Sequence, residues 1–150
     1  MNIVPDCPYP VWYKFVTSTS CTQDCPPFPY IPLSPTPITW AYNARPYTGI
    51  PMKVSKENFE TSPDIMQIEY TWEQNARKIW FDSSSINGAP FIVKGFQTMP
   101  STGLSALFPN CTGAYCLPGG ECESAYFSDD SEEGRSCPDS TSAAFIACSE

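Results

Sequence analysis

The residues of this sequence that could best do chemistry are two carboxylates, Glu69 and Asp82, in neighbouring strand-like segments. The sequence contains no histidine, which excludes a Ser-His-Asp triad, a Cys-His nucleophile pair and a histidine-ligated metal centre. The consecutive hydroxyls of Ser83, Ser84 and Ser85 therefore lack a histidine base that could activate one of them. Paired carboxylates remain as candidate catalytic groups, and glycosidases use such a pair.

The pattern of apolar residues decides whether the two carboxylates can meet. Apolar and polar residues alternate in segments 65–72 and 78–82, which predicts two strands of an antiparallel hairpin. One register places Glu69 directly opposite Asp82, where like charges repel unless a cation, a shared proton or a function compensates. A register shifted by two residues places Glu69 opposite Trp80, and both registers keep the apolar faces matched. A structural or solvated role for the carboxylates is favoured over a ligand-facing role.

The remaining elements of the chain are short strands, because no segment has a convincing helical period and no internal repeat is visible. The proline-rich segment 26–37 predicts an extended edge or a polyproline-like loop. With 150 residues, we expect one all-β domain over residues 1–150, a sandwich or barrel with little helix. The other predicted strands are 10–17, 38–43, 50–55, 91–97, 125–128 and 141–148.

The eight cysteines predict a disulfide framework that forms in an oxidising compartment, since their number is even and no C-x-x-C pair suggests zinc. Asn110 begins an N-glycosylation sequon, Asn-Cys-Thr. No positively charged leader with an apolar run follows Met1, so we expect that a secretory signal has been removed. No apolar stretch approaches the length of a transmembrane helix. We therefore expect a secreted, extracellular protein.

The charge of the chain bears on its partners. A formal net charge of −8 would repel nucleic acid and anionic membranes, so neither is an expected partner. Separately, we expect a monomer. A calcium loop is disfavoured as well, because its twelfth position would be Ser140 rather than a carboxylate and no helical period flanks it. We expect no metal and no cofactor. The other loop positions that match a calcium motif are Asp129, Ser131, Glu133 and Gly134.

The sequence resembles the thaumatin-like proteins, in particular the small fungal Blastomyces yeast-phase-specific protein family. The resemblance rests on CPYPVWYKF near the start, IEYTW followed by IWFDSSSINGAPF, a late cysteine-rich segment and a cysteine close to the C-terminus. It implies a disulfide-stapled antiparallel β-sandwich, an extracellular fungal protein and a bond between Cys7 and Cys148. Nearest-neighbour reasoning then suggests three further pairs among the 105 connectivities that eight cysteines allow. These are Cys21 with Cys25, Cys116 with Cys122, and Cys111 with Cys137.

Many thaumatin-like proteins have an acidic cleft, formed by an arginine, a glutamate and three aspartates, that is associated with β-glucan binding or weak hydrolysis. Glu69 and Asp82 look like two of those positions, whereas Asn87 stands where the second aspartate would be. No arginine sits just before Ile65, and no convincing third aspartate can be placed. The resemblance thus implies ligand binding at Glu69, Asp82 and Asn87 more than catalysis.

Three functions follow as hypotheses. The first is a secreted, non-catalytic protein that binds β-glucan, another cell-wall polysaccharide or a host component, as an effector or virulence factor would. The second is a weak β-glucan hydrolase, which requires Glu69 and Asp82 in one cleft with one of them protonated near neutral pH. The third is an inhibitor or antifungal toxin that acts through its loops.

Overall fold

The chain forms two β-sheets from eleven strands in the residues that the structure describes. The computed structural model describes residues 2–15, 30–31, 38–39, 50–57, 63–100, 111–120, 122, 125 and 134–149. The strands are β1 (Asn2–Pro5), β2 (Val11–Phe15), β3 (Tyr30–Ile31), β4 (Ile38–Thr39), β5 (Ile50–Ser55), β6 (Met66–Glu73), β7 (Lys78–Ser84), β8 (Phe96–Pro100), β9 (Ala114–Cys116), β10 (Arg135–Pro138) and β11 (Ala143–Ala147).

The five-stranded sheet has the order β4-β1-β11-β8-β9, and the six-stranded sheet has the order β10-β7-β6-β5-β2-β3. All neighbouring strands are antiparallel except β1 and β11, which are parallel. The predicted all-β sandwich is confirmed, and no helix occurs in the described residues. Within the same part of the chain, no helix is long and apolar enough to cross a membrane.

The core lies between the two sheets and follows from the alternation of side chains along each strand. In β6, Met66 and Ile68 are fully buried, while Gln67 and Glu69 on the opposite face are half-buried. The five-stranded sheet contributes fully buried side chains such as Phe145 to the same core. Burial of such apolar side chains is the main stabilising term of the sandwich. The six-stranded sheet therefore turns its other, largely polar face outwards.

The described residues contain three disulfides, and their pairs match those suggested in the sequence analysis. β1 and β11 are parallel neighbours, so both strands finish at the same end of the sheet. Cys7 and Cys148, which follow these strands, are bonded there with their Cα atoms 5.0 Å apart. The other two bonds join Cys111 to Cys137 and Cys116 to Cys122. Cys21 and Cys25 lie outside the described residues.

Some strand predictions need correction. Segment 91–97 is not one strand: residues 90–94 form a turn, and β8 begins only at Phe96, after Gly95 with its positive φ of 73°. The apolar residues that suggested a strand there include Phe91, which is buried and packs edge-on against Phe145 at a ring-centroid distance of 5.9 Å. In segment 125–128, Ala125 lies in a bend and residues 126–128 lie outside the described part.

Three strands, β1, β9 and β10, were not predicted. Each is only three or four residues long, and each depends on pairing with a longer strand elsewhere in the sequence. Such short edge or bridging strands carry too little alternation to be recognised locally. The two-residue strand β3 falls within the proline-rich segment and lies at the edge of the six-stranded sheet, in agreement with the extended-edge alternative.

Candidate functional site

Glu69 and Asp82 lie directly opposite each other on β6 and β7, on the outer face of the six-stranded sheet. Of the two registers that keep the apolar faces matched, the structure has the one that places Tyr70 opposite Phe81, and both of these side chains are buried on the inner face. Directly opposite residues of an antiparallel pair have Cβ atoms roughly 5 Å apart. On its other side, Glu69 is opposite Pro51 of β5, so no basic residue is its cross-strand partner.

Asp82 is held in an environment that disfavours its charge. Burial of the side chain and, second, the negative charge of Glu69 raise the pKa of Asp82 from 3.8 to about 6, while Arg135 acts in the opposite direction. The Oδ1 atom of Asp82 is buried and has no hydrogen-bond partner among the described residues. The basic residue that acts on Asp82 is thus Arg135, which lies on β10 opposite Phe81.

Asn87 joins the same face through Gln67. The Nε2 of Gln67 donates a hydrogen bond to Oδ1 of Asn87 at 2.9 Å, and Gln67 lies two residues before Glu69 on β6. The turn that carries Asn87 is fixed by its backbone carbonyl, which accepts a 3.1 Å hydrogen bond from the N–H of Ile65. Gly88 completes this turn with φ of 136°, and a Cβ there would lie 2.6 Å from the backbone nitrogen of Ile65.

An aromatic side chain continues the polar face towards the tip of the hairpin. Trp80 lies two residues before Asp82 on β7 and is opposite Thr71 of β6. Its indole Nε1 donates a 2.8 Å hydrogen bond to Oε2 of Glu73. The face formed by the outward side chains of β6 and β7 is called the acidic face below. Its members are Gln67, Glu69, Thr71, Glu73, Lys78, Trp80, Asp82 and, at its buried end, Ser84.

Of the three residues that the sequence analysis named for ligand binding, the structure places Glu69 directly opposite Asp82 and joins Asn87 to Gln67, the neighbour of Glu69 on the same face of β6. Sequence reasoning did not identify Gln67 as the link to Asn87, although strand alternation places Gln67 and Glu69 on one face. Arg135 was also missed, because it belongs to a short strand that is remote in sequence. The predicted glycosylation residue Asn110 lies outside the described residues, as do Asp129, Ser131 and Glu133 of the disfavoured calcium motif.

Chemically, the acidic face can accept and donate hydrogen bonds to a polar ligand. A carboxylate accepts hydrogen bonds through both oxygens, and a protonated carboxyl group also donates one. With its pKa near 6, Asp82 exchanges its proton in a mildly acidic solution, so the pair can present one charge or two. Because Oδ1 of Asp82 is buried, a ligand hydroxyl would donate to the half-buried carboxylate of Glu69 rather than to that atom.

The described residues thus combine a two-sheet sandwich, three disulfides and an outward carboxylate pair. A family model described as "Blastomyces yeast-phase-specific protein" matches residues 3–149, and the chain belongs to this family. No protein of curated function matches the chain in sequence.

Two solved structures are similar to the chain in fold. The protein elicitor MoHrip2 from Magnaporthe oryzae has a TM-score of 0.75 at 19% identity, and the alignment covers 99% of this chain and 97% of the elicitor. The thaumatin-like xylanase inhibitor TLXI has a TM-score of 0.61 at 10% identity, with 98% of this chain and 97% of the inhibitor covered. At these identities the likeness concerns the fold alone.

Proposed function

We propose that this chain is a secreted, single-domain fungal protein without catalytic activity that binds a cell-wall polysaccharide, such as β-glucan, on its acidic face. The observation that carries the proposal is the cross-strand pair of Glu69 and Asp82. Like charges placed directly opposite each other destabilise a sheet, and one buried oxygen of Asp82 has no hydrogen-bond partner among the described residues. Sugar hydroxyls are neutral donors, and the half-buried carboxylate of Glu69 can accept hydrogen bonds from them without requiring a charged partner.

The test is an array of cell-wall glycans probed with the oxidised protein, together with a reducing-sugar assay on soluble β-glucans. The proposal predicts binding without release of reducing sugar. The matched variants are Glu69→Gln and Asp82→Asn, which keep the side-chain shape but remove the charge, and both should weaken binding. Glu57→Gln changes an exposed carboxylate away from the face and should leave binding unchanged. An array on which no glycan binds would contradict the proposal.

A weak hydrolase is the second candidate function, and the raised pKa of Asp82 is the observation that favours it. A glycosidase needs one carboxyl group protonated near neutral pH as the general acid and a second carboxylate nearby. Asp82, with a pKa of about 6, and Glu69 would take these two roles. Release of reducing sugar that disappears in both Glu69→Gln and Asp82→Asn would support hydrolysis over simple binding.

A host protein is the alternative partner, and it is favoured by the two solved structures, described as a protein elicitor and as a xylanase inhibitor. The role would then be that of an effector or inhibitor that contacts its target through protein surface rather than through sugar. The same array distinguishes this alternative, since a protein-directed chain should bind no glycan. Inhibition of a xylanase in a standard activity assay would be the positive result for an inhibitor.

A further inference from the structure

Trp80 is a large aromatic residue that remains partly exposed in the middle of a hairpin strand. Its exposed fraction is 39%, and it points to the same face as Glu69 and Asp82. Both of its cross-strand neighbours are small, Thr71 on β6 and Ser136 on β10. The indole ring therefore projects beyond the shorter side chains of its two cross-strand neighbours.

The orientation of this indole ring is fixed by its neighbours. The Nε1–H of Trp80 is already used in the 2.8 Å hydrogen bond to Glu73, and the Nζ of Lys78 lies over a face of the ring, 5.8 Å from its centroid. Lys78 is exposed, and a ligand that stacks on this face would displace its side chain. Glu73 and Lys78 are themselves directly opposite each other at the last pair of the hairpin. A ring held in this way loses little conformational freedom when a ligand contacts it, which lowers the entropic cost of binding.

The ring also lies close enough to the carboxylate pair for one ligand to contact both. Residues two apart on a strand share a face and are separated by about 7 Å, so the indole of Trp80 and the carboxyl of Asp82 are adjacent positions along β7. A ligand that spans both positions must combine a flat, weakly polar surface with hydroxyl donors. A pyranose ring has this combination, with C–H groups on its faces and hydroxyls at its edge.

We propose that Trp80 is a stacking site for a pyranose ring of a β-linked glucan, next to the ring whose hydroxyls bind Glu69 and Asp82. This inference rests on the proposed glycan binding and assigns a second, aromatic subsite to it. Aromatic rings bury a large apolar area and also interact through their electron-rich faces. Glu73 acts as a positioning residue, since it holds the indole through Nε1.

The test is calorimetric titration of the oxidised protein with a linear hexasaccharide of β-linked glucose. Trp80→Ala should weaken binding by about tenfold or more, because a single aromatic contact contributes on the order of one tenfold step in affinity. Trp80→Phe keeps a flat ring and should bind within about threefold of the wild type. Tyr115→Ala, at an aromatic side chain 55% exposed on the five-stranded sheet, is the matched control and should bind as the wild type does.

Tryptophan fluorescence gives a second readout that a merely structural role would not produce. Hexasaccharide binding should shift the emission of the wild type, and the shift should be absent in Trp80→Phe although this variant still binds. If the wild type binds while Trp80→Ala binds equally well, the stacking site is wrong and the proposed function survives. If the wild type does not bind the hexasaccharide at all, glucan binding fails and the stacking site fails with it.

Discussion

Glu69 of β6 and Asp82 of β7 are direct cross-strand partners on the outer face of the six-stranded sheet, and the pKa of Asp82 is raised to about 6. The pair links the register of the hairpin to the proposed binding surface. The same register that buries Tyr70 and Phe81 on the inner face forces the two carboxylates together on the outer face. The fold thus stabilises an arrangement that is unfavourable for the carboxylates themselves.

Asp82→Asn should stabilise the protein at neutral pH. The pKa of Asp82 is higher in the folded state, about 6, than in an unfolded chain, about 3.9. The folded state therefore binds more protons between these values, and the free energy of unfolding falls as the pH rises through them. Removing the charge should raise that free energy by on the order of 1 to 3 kcal/mol at pH 7. Thermal melts of both proteins check this, and they should differ little near pH 4.

Glu69→Gln should lower the pKa of Asp82, because the negative charge of Glu69 is the second cause of its elevation after burial. Carboxyl carbon chemical shifts followed by NMR through a pH titration give the midpoint directly. Glu73→Gln is the control, since Glu73 is paired with Lys78 rather than with Asp82, and it should leave the midpoint in place. An unchanged midpoint in Glu69→Gln would mean that the two carboxylates do not interact.

Replacing both Cys7 and Cys148 by serine should destabilise the fold more than replacing both Cys116 and Cys122. The first bond spans 141 residues and the second spans 6. Loop-closure entropy gives about 5 kcal/mol for the long loop and about 2 kcal/mol for the short one. The melting temperatures of the two double variants test this order. The reverse order would indicate that the link between β1 and β11 is held by the sheet without its disulfide.

Gly88→Ala should destabilise the protein by about 2 kcal/mol or more, because the new Cβ would meet the backbone of Asp64 and Ile65 at 2.7 and 2.6 Å. Gly119→Ala is the control: it also has a positive φ but no atom within 4 Å of a Cβ, so it should cost about 1 kcal/mol. The side-chain amide signals of Gln67 should move in Gly88→Ala, since this turn carries its partner Asn87. Equal losses of stability in the two variants would contradict the predicted clash.

The sequence predicted the structure best where apolar and polar residues alternate over a long segment. The eight residues of β6 and seven of β7 predict their own faces, and the meeting of Glu69 with Asp82 was one of the two registers that they allow. The choice between these registers required the rest of the sheet, because the alternative register kept the apolar faces matched as well.

Other features depended on contacts between distant parts of the chain. The parallel pairing of β1 with β11 joins the two ends of the sequence, and no local pattern encodes it. The link between Gln67 and Asn87 depends on how a turn after β7 packs against the start of β6. Phe91 misled the prediction of segment 91–97 because a buried residue in a turn has the same apolar character as one in a strand.

Backbone and indole NMR shift mapping tests most directly whether the acidic face binds glycan as proposed. On titration with a linear hexasaccharide of β-linked glucose, the largest shifts should fall on the amides of Gln67, Glu69 and Asp82 and on the indole N–H of Trp80. The outer face of the five-stranded sheet, represented by Tyr115, should remain unchanged. Shifts centred on Tyr115, or no shifts at saturating hexasaccharide, would contradict the claim.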